Sequence, residues 1–267
     1  MINYLENTKA AFDSAAKAFD EDDRQNGILQ WMRKVVHKIY LDNFHFGSKL
    51  LELNAGTGID AVFLAEHDIK VLATDISPGM LAVLEEKIKD STYRGNIRTK
   101  LKSFDRIGDI DEVGFDGVIS NFGGLNCIPD FKNLSKDLYY KLKPNGKFIA
   151  VIINKICPWE IFYYLLKFDK KTALRRFTKG GIDANLNGEK IRTFYFTPKQ
   201  FAGYFENEFR IDKIYSHGLY TPPPYLVGIY NKLKPFVKIL MKIDEFTRGI
   251  FPFNRFGDHF IIVMRKK

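Results

Sequence analysis

Cysteine is scarce. Two residues, Cys127 and Cys157, supply neither a disulfide framework nor zinc-ligand spacing, so they read as reduced thiols of a cytosolic protein. No run of about 18 apolar residues occurs, which excludes a spanning helix. The first 24 residues carry six acids (Glu6, Asp13, Asp20, Glu21, Asp22, Asp23) against three bases, the wrong balance for a signal peptide. No cluster of His, Asp and Glu argues for a bound metal. Internal repeats and low-complexity linkers are also missing, so residues 1–267 are expected to form a single domain with insertions.

What is present is ordinary globular chemistry with a basic bias. The chain is 45% hydrophobic and 27% charged, enough to build a core. Forty-one Lys and Arg against 32 Asp and Glu leave a net charge of +9. Nucleic acid, an acidic membrane surface, an anionic substrate or a merely soluble basic surface would each account for it. Oligomeric state is not legible.

Two helical patterns open the chain, with Ala11, Phe12, Ala15, Ala16 and Phe19 on one face and Ile28, Met32, Val35, Val36 and Ile39 on another. From Lys49 short apolar runs alternate with helical stretches. The strands are expected at Lys49–Asn54, Lys70–Ile76, Ile97–Phe104, Phe115–Asn121 and Gly146–Asn154, and the helices at Ile59–His67, Pro78–Asp90 and Phe131–Leu142. Ser77-Pro78 is a helix start and Lys143-Pro144-Asn145-Gly146 a turn. This alternation predicts an α/β, Rossmann-like, doubly wound sheet. Phe209–Tyr215 and His259–Arg265 complete seven strands, the last placed antiparallel. Residues 1–46 are expected to be a helical lid, and 155–190 and 221–257 insertions capping the active site.

The segment Glu52-Leu53-Asn54-Ala55-Gly56-Thr57-Gly58 runs from a strand through a small-residue turn into a helix. Such a turn lets backbone groups approach a ligand without Cβ obstruction. Asp75 ends the next strand, placed to accept both hydroxyls of a ribose, so a nucleoside cofactor is implied. Two candidates fit. Gly56-x-Gly58-x-x-Ala61 satisfies the dinucleotide pattern, which points to NAD(P). The wider set of motifs instead resembles the class I S-adenosylmethionine (SAM)-dependent methyltransferases, in particular the small-molecule branch of the quinone-biosynthesis (methyltransferase type 11) enzymes.

That resemblance covers about residues 10–155 and implies a role for each matching position. Glu52-x-Asn54-x-Gly56-x-Gly58 stands for the family's acidic glycine loop, departing from it at Asn54, a residue that tolerates left-handed backbone. With Ala55 it would contact the cofactor. Asp75 would hold the ribose, Ile76 cover the adenine, and Ser103, Phe104 and Asp105 contact the adenine edge, with Met80 also among the cofactor-binding residues. Asn121-Phe122-Gly123-Gly124 resembles the active-site loop after the fourth strand, and Leu142–Lys147 the turn before the fifth. Phe12-Asp13 through Phe19-Asp20 is similar to the leading lid helix, with Phe12 and Phe19 expected to serve helix packing more than ligand contact.

Lys155–Gly181 holds seven bases against two acids, and Thr221–Gly257 six against two, both interleaved with aromatic and aliphatic residues. An apolar roof and a basic rim imply a hydrophobic small-molecule acceptor, and the same composition allows peripheral membrane contact. If the acceptor loses a proton early, His217 and His259 are the candidate bases by position, ahead of His37 and Tyr195. Without an Asn-Pro-Pro-Tyr/Phe run or an appended RNA-binding module, nucleic acid is not the expected partner. The expected activity is methyl transfer to oxygen, with carbon second. The rivals are an NAD(P)-dependent oxidoreductase and a non-catalytic membrane-surface or partner-binding protein that keeps the fold.

Overall fold

The computed structural model describes residues 4–186 and 188–267. Residues 1–3 of the expected lid and Asn187 of the first insertion lie outside the described residues. In chain order the first half comprises α1 (Tyr4–Gln25), α2 (Gly27–Asn43), β1 (Lys49–Leu53), α3 (Ile59–Ala65), β2 (Lys70–Asp75), α4 (Pro78–Ile88), β3 (Ile97–Leu101), β4 (Phe115–Ser120), α5 (Lys132–Lys141) and β5 (Leu142–Ile153). The second half holds α6 (Pro158–Leu166), α7 (Lys170–Ala173), β6 (Ile182–Leu186), β7 (Glu189–Thr193), α8 (Pro198–Gly203), β8 (Phe209–His217), α9 (Val227–Lys232), α10 (Lys234–Thr247) and β9 (His259–Lys266).

Seven strands form one sheet in the order β3-β2-β1-β4-β5-β9-β8. The pairs from β3 through β5 are parallel, whereas β9 runs antiparallel to both β5 and β8. The expected sheet with an antiparallel last strand is therefore observed. Strand alternation splits the core in two. Leu51, Leu53, Val118 and Phe148 face α5 and α8, while Leu50, Val71, Ala73, Ile119 and Ile149 face α2, α3 and α4. Strand order reverses between β1 and β4, and in such sheets the crevice beyond the strands' carboxyl ends at that switch binds ligands.

Three local expectations are corrected. The Lys143–Gly146 turn does not precede β5 but bulges from it: Phe115 pairs with Leu142 and Gly117 with Lys147, the extra residues being expelled around Asn145 at φ 63°. β3 ends at Leu101 because residues 104–109 wind into 3-10 turns with Phe104 and Ile107 buried. The first insertion ends in an antiparallel hairpin, β6–β7, that runs past residue 190 to Thr193 and packs against α1. Long-range packing supplies that hairpin's apolar cover, so no strong alternation in its own sequence announces it.

Candidate active site

β1 delivers the chain into a turn with Asn54 at φ 47°, Gly56 at 58° and Gly58 at 74°, the left-handed region that an L side chain occupies at a cost. Asn54 tolerates this and ties two strand ends together. Its Oδ1 accepts from Ser120 Oγ at 2.8 Å, and its Nδ2 donates to the Asn121 carbonyl at 3.3 Å. Gly124 leaves room for it, since a Cβ there would lie 2.2 Å from Asn54 Nδ2. Where the family pattern has glycine, this chain thus carries a side-chain brace between β1 and β4.

Asp75 at the end of β2 folds back onto the turn. Its Oδ2 accepts from the Gly56 N–H and its Oδ1 from the Ser77 N–H, both at 2.8 Å. Burial pushes this carboxyl above its ordinary range, with the backbone amides pulling the other way. Ser77 caps α4, and its Oγ donates to Asp13 Oδ1 on α1 at 2.5 Å. Asp13 also receives the Gly79 N–H at 2.9 Å. Seven residues later Asp20 accepts from Thr57 Oγ1 at 2.5 Å and pairs with Lys87 at 2.7 Å. α1 is thereby clamped across the glycine turn and the loop after β2.

Beneath this lid lies a cavity with an open mouth, about 800 Å³ of empty space when the mouth is included. Of the residues singled out from sequence, Glu52, Asn54, Ala55, Gly56, Asp75, Ile76, Met80, Phe104, Asn121 and Phe122 line it. Phe12 and Phe19 line it too, while also packing on Met80, so they do more than hold the helix.

Five candidates lie outside the lining. Gly58 heads α3 with its α-carbon against Leu84 rather than the cavity. Ser103 and Asp105 bond to each other on the outer side of the turn that buries Phe104. His217 and His259 stand on β8 and β9, three and two places from β4 in the sheet. At about 4.8 Å per strand that is some 14 and 10 Å away. Asn154, Gly218 and Asp258 come together through Asn154 N–H to the Asp258 carbonyl and Asp258 N–H to the Gly218 carbonyl. The Phe122 ring, which lines the cavity, meets His259 edge-on at 6.2 Å. His259 Nδ1 lies 2.9 Å from Asp258 Oδ2. His217 is buried against Trp31, and desolvation, reinforced by the neighbouring His259, lowers its pKa to about 3.

Sequence reading missed the site's charged frame. Asp60 in the first turn of α3 accepts from Arg33 Nη1 at 2.9 Å and Asn121 Nδ2 at 2.5 Å, with His37 Nε2 at 2.7 Å. Burial alone would raise its pKa, but Arg33 and these hydrogen bonds outweigh it and hold Asp60 well below the carboxylate range. Arg33, on an otherwise apolar face of α2, also binds Asp23 at 2.7 Å and lies 4.6 Å from the Phe122 ring centroid. A lone arginine within an apolar helical stripe was the available signal.

Glu52 is the exception in this frame. It is buried at the cavity wall, and its Oε2 has no hydrogen-bond partner among the described residues. Desolvation first, then the nearby Asp60 charge, pushes its pKa well up against the pull of Arg33. Such an orphaned carboxyl costs free energy until a donor or cation meets it. Glu52, Asp60 and Asp75 stand on the cavity wall, while of the two cations in the same lining Arg33 is paired with Asp60 and Asp23 and Lys102 with Asp109. A sulfonium and an ammonium suit that wall, whereas the pyrophosphate of a dinucleotide would face three carboxyl groups. The residues present therefore fit SAM.

Residues 50–146 match the family model of a methyltransferase domain. A demethylmenaquinone methyltransferase of Symbiobacterium thermophilum is 31% identical over 150 residues, covering 54% of this chain and 58% of that one. A ubiquinone/menaquinone biosynthesis C-methyltransferase of Geobacter sp. (strain M21) is 27% identical over 152 residues, covering 55% and 63%. The chain thus spans about three fifths of the length of these curated relatives. A crystal structure described as a putative S-adenosylmethionine dependent methyltransferase from Listeria monocytogenes shares the fold. Its TM-score is 0.60 at 20% identity, over 88% of this chain and 97% of that one. Motifs, sheet topology and comparisons converge: residues 50–146 match a methyltransferase domain model, and the sheet they build has the fold of the S-adenosylmethionine-dependent methyltransferase structure, as the sequence resemblance implied.

Proposed function

We propose that this protein transfers a methyl group from SAM to a lipophilic hydroxyaromatic acceptor of the hydroquinone class. The observation that carries the cofactor reading is Glu52: a buried carboxyl at the cavity wall, with one oxygen unpartnered among the described residues, calls for a donor or cation. The acceptor class rests on the quinone-biosynthesis relatives and on the apolar part of the lining, Leu5, Phe12, Phe19, Phe104 and Phe122. Oxygen stood first from sequence; the relative named as a C-methyltransferase supports a ring carbon instead.

SAM supplies an electrophilic methyl on a sulfonium. Glu52 and Asp60 compensate positive charge at the wall, and Asp75 keeps each carboxylate oxygen beside the turn with a lone pair to spare for hydroxyls. α1 excludes water, and positioning in such a dry site supplies a large share of a transfer rate. His217 and His259 lie outside the lining, so the acceptor's own acidity, rather than a histidine base, governs its deprotonation. Among the described residues no helix is long and apolar enough to cross a membrane. We place the protein in the cytoplasm, meeting its acceptor there.

Thermal denaturation with SAM, S-adenosylhomocysteine, NAD and NADP side by side tests the cofactor. A ligand at 100 times its Kd adds about 2.7 kcal/mol of stability. A shift with the two adenosyl ligands alone is expected, and a shift with NAD or NADP alone refutes the proposal. Incubation with labelled SAM and a short-chain prenylated naphthohydroquinone, followed by NMR of the product, identifies the methylated atom. An O-methyl product would reverse the carbon assignment.

A further inference from the structure

We propose that α10 is a docking face for an anionic lipid bilayer. The helix is seated by its inner side. Val237 and Met241 pack on Ile28 and Met32 of α2, and the buried Asp244 carboxylate accepts the N–H groups of Leu219, Tyr220 and Thr221 at 2.8–3.0 Å. With that side fixed, Phe236, Ile239, Ile243 and Phe246 recur at i, i+3, i+7 and i+10 on the opposite side and face solvent. Their exposures are 56, 56, 40 and 81%. Phe251, 73% exposed, extends the apolar surface beyond the helix end.

A surface helix normally turns polar residues outward. Here the outward stripe is apolar, and the polar residues beside it are of one sign. Lys238 and Lys242 stand along one flank of the stripe, with Lys232 and Lys234 at its start, all exposed. The helix's exposed acid, Glu245, is taken by Trp31 Nε1 at 2.7 Å. An apolar stripe with a lysine flank is the chemistry of a helix lying in the interface plane of an anionic membrane, apolar side chains among the acyl boundary and ammonium groups at the phosphates. A second copy is the poorer occupant. A two-fold contact through this face would set the same lysines against each other on a chain of net charge +9. Phe122 belongs both to the cavity lining and to the apolar cluster beneath α10, so a bilayer on this face would lie one packed layer from the cavity. The inference rests on the surface of α10 and stands apart from the acceptor assignment.

Co-sedimentation of the full chain with vesicles tests it, using phosphatidylcholine vesicles with and without phosphatidylglycerol. Binding to the phosphatidylglycerol vesicles, weakened by salt, is expected. Lys238→Gln with Lys242→Gln should lower partitioning about 25-fold, at about fivefold per lysine. Ile239→Asp and Phe246→Asp should each lower it at least about tenfold. Because all four side chains are exposed, the thermal midpoint and its shift with SAM should stay at the wild-type values, which separates a docking defect from misfolding and from failure of the cofactor reading. Absence of vesicle binding, equal binding to both vesicle types, or variants that bind as wild type would overturn the proposal. So would a solution dimer that Phe246→Asp dissociates.

Discussion

Glu52→Gln is the sharpest perturbation of the site, and its consequences can be worked out with their signs. Burial and the Asp60 charge raise the Glu52 carboxyl well above its ordinary 4.5, with Arg33 opposing. In the ligand-free fold it therefore keeps a proton that the unfolded chain releases. Its contribution to stability is present below about pH 4.5 and is lost as pH rises toward the raised folded value. A cation arriving beside the carboxyl reverses that preference, so binding SAM expels the proton. As long as the free protein is protonated at Glu52, the Kd should fall about tenfold for each unit of rising pH, the equivalent of 1.36 kcal/mol. Glu52→Gln removes the titrating group. The slope should vanish, and affinity should drop by about 1.5–3 kcal/mol, or 10- to 150-fold, the range for a hydrogen bond to a charged partner. Isothermal titration calorimetry in two buffers of different ionisation enthalpy counts the protons directly: one released by the wild type, none by the variant. Wild-type binding that is independent of pH and releases no proton would refute the assignment, as would unchanged affinity in Glu52→Gln.

Other perturbations probe the remaining parts. Asp75→Ala strips the acceptor of both the Gly56 and Ser77 N–H groups along with the expected ribose contact. Calorimetry should show SAM affinity reduced by about 1.5–3 kcal/mol, and near-wild-type binding would dismiss the role. His217→Gln and His259→Gln should leave SAM affinity and the shape of the turnover pH profile unchanged, because neither ring lines the cavity; loss of a limb of that profile would restore a histidine base. Asp20→Ala releases Thr57 and Lys87 from α1, and stopped-flow measurement should find SAM leaving about fivefold faster, about 1 kcal/mol for the lost hydrogen bond. In Gly58→Ala the new Cβ would lie 2.3 Å from buried Leu84 Cδ1 at φ +74°, so urea unfolding should show about 1–3 kcal/mol of lost stability.

Local chemistry made much of the molecule readable. Strands and helices of the first half follow from apolar period and caps, and the left-handed Asn54, Gly56 and Gly58 follow from the few residues that accept such backbone. Asp75 was legible because a strand end after a glycine turn has a fixed place in a doubly wound sheet. β9 was placed antiparallel because no crossover helix of the usual kind is obvious in the sequence before it, although α10 does stand between β8 and β9.

Other features depend on pairs that sequence spacing does not encode. Arg33 meets Asp60 across 27 residues, and Asp13 meets Ser77 across 64, so the site's charge balance and its lid appear only when α1 and α2 fold over the sheet. His217 and His259 reach the expected edge of the sheet, yet strand order sets them three and two places from β4. Composition shows α10 to be basic and apolar together, but only packing tells which side is covered. Val237, Met241 and Asp244 take the interior, leaving Phe236, Ile239, Ile243 and Phe246 outside. Period and turn propensity are short-range properties carried by neighbouring residues. Burial, partner choice and access depend on what the rest of the chain brings alongside, and only the tertiary structure decides those.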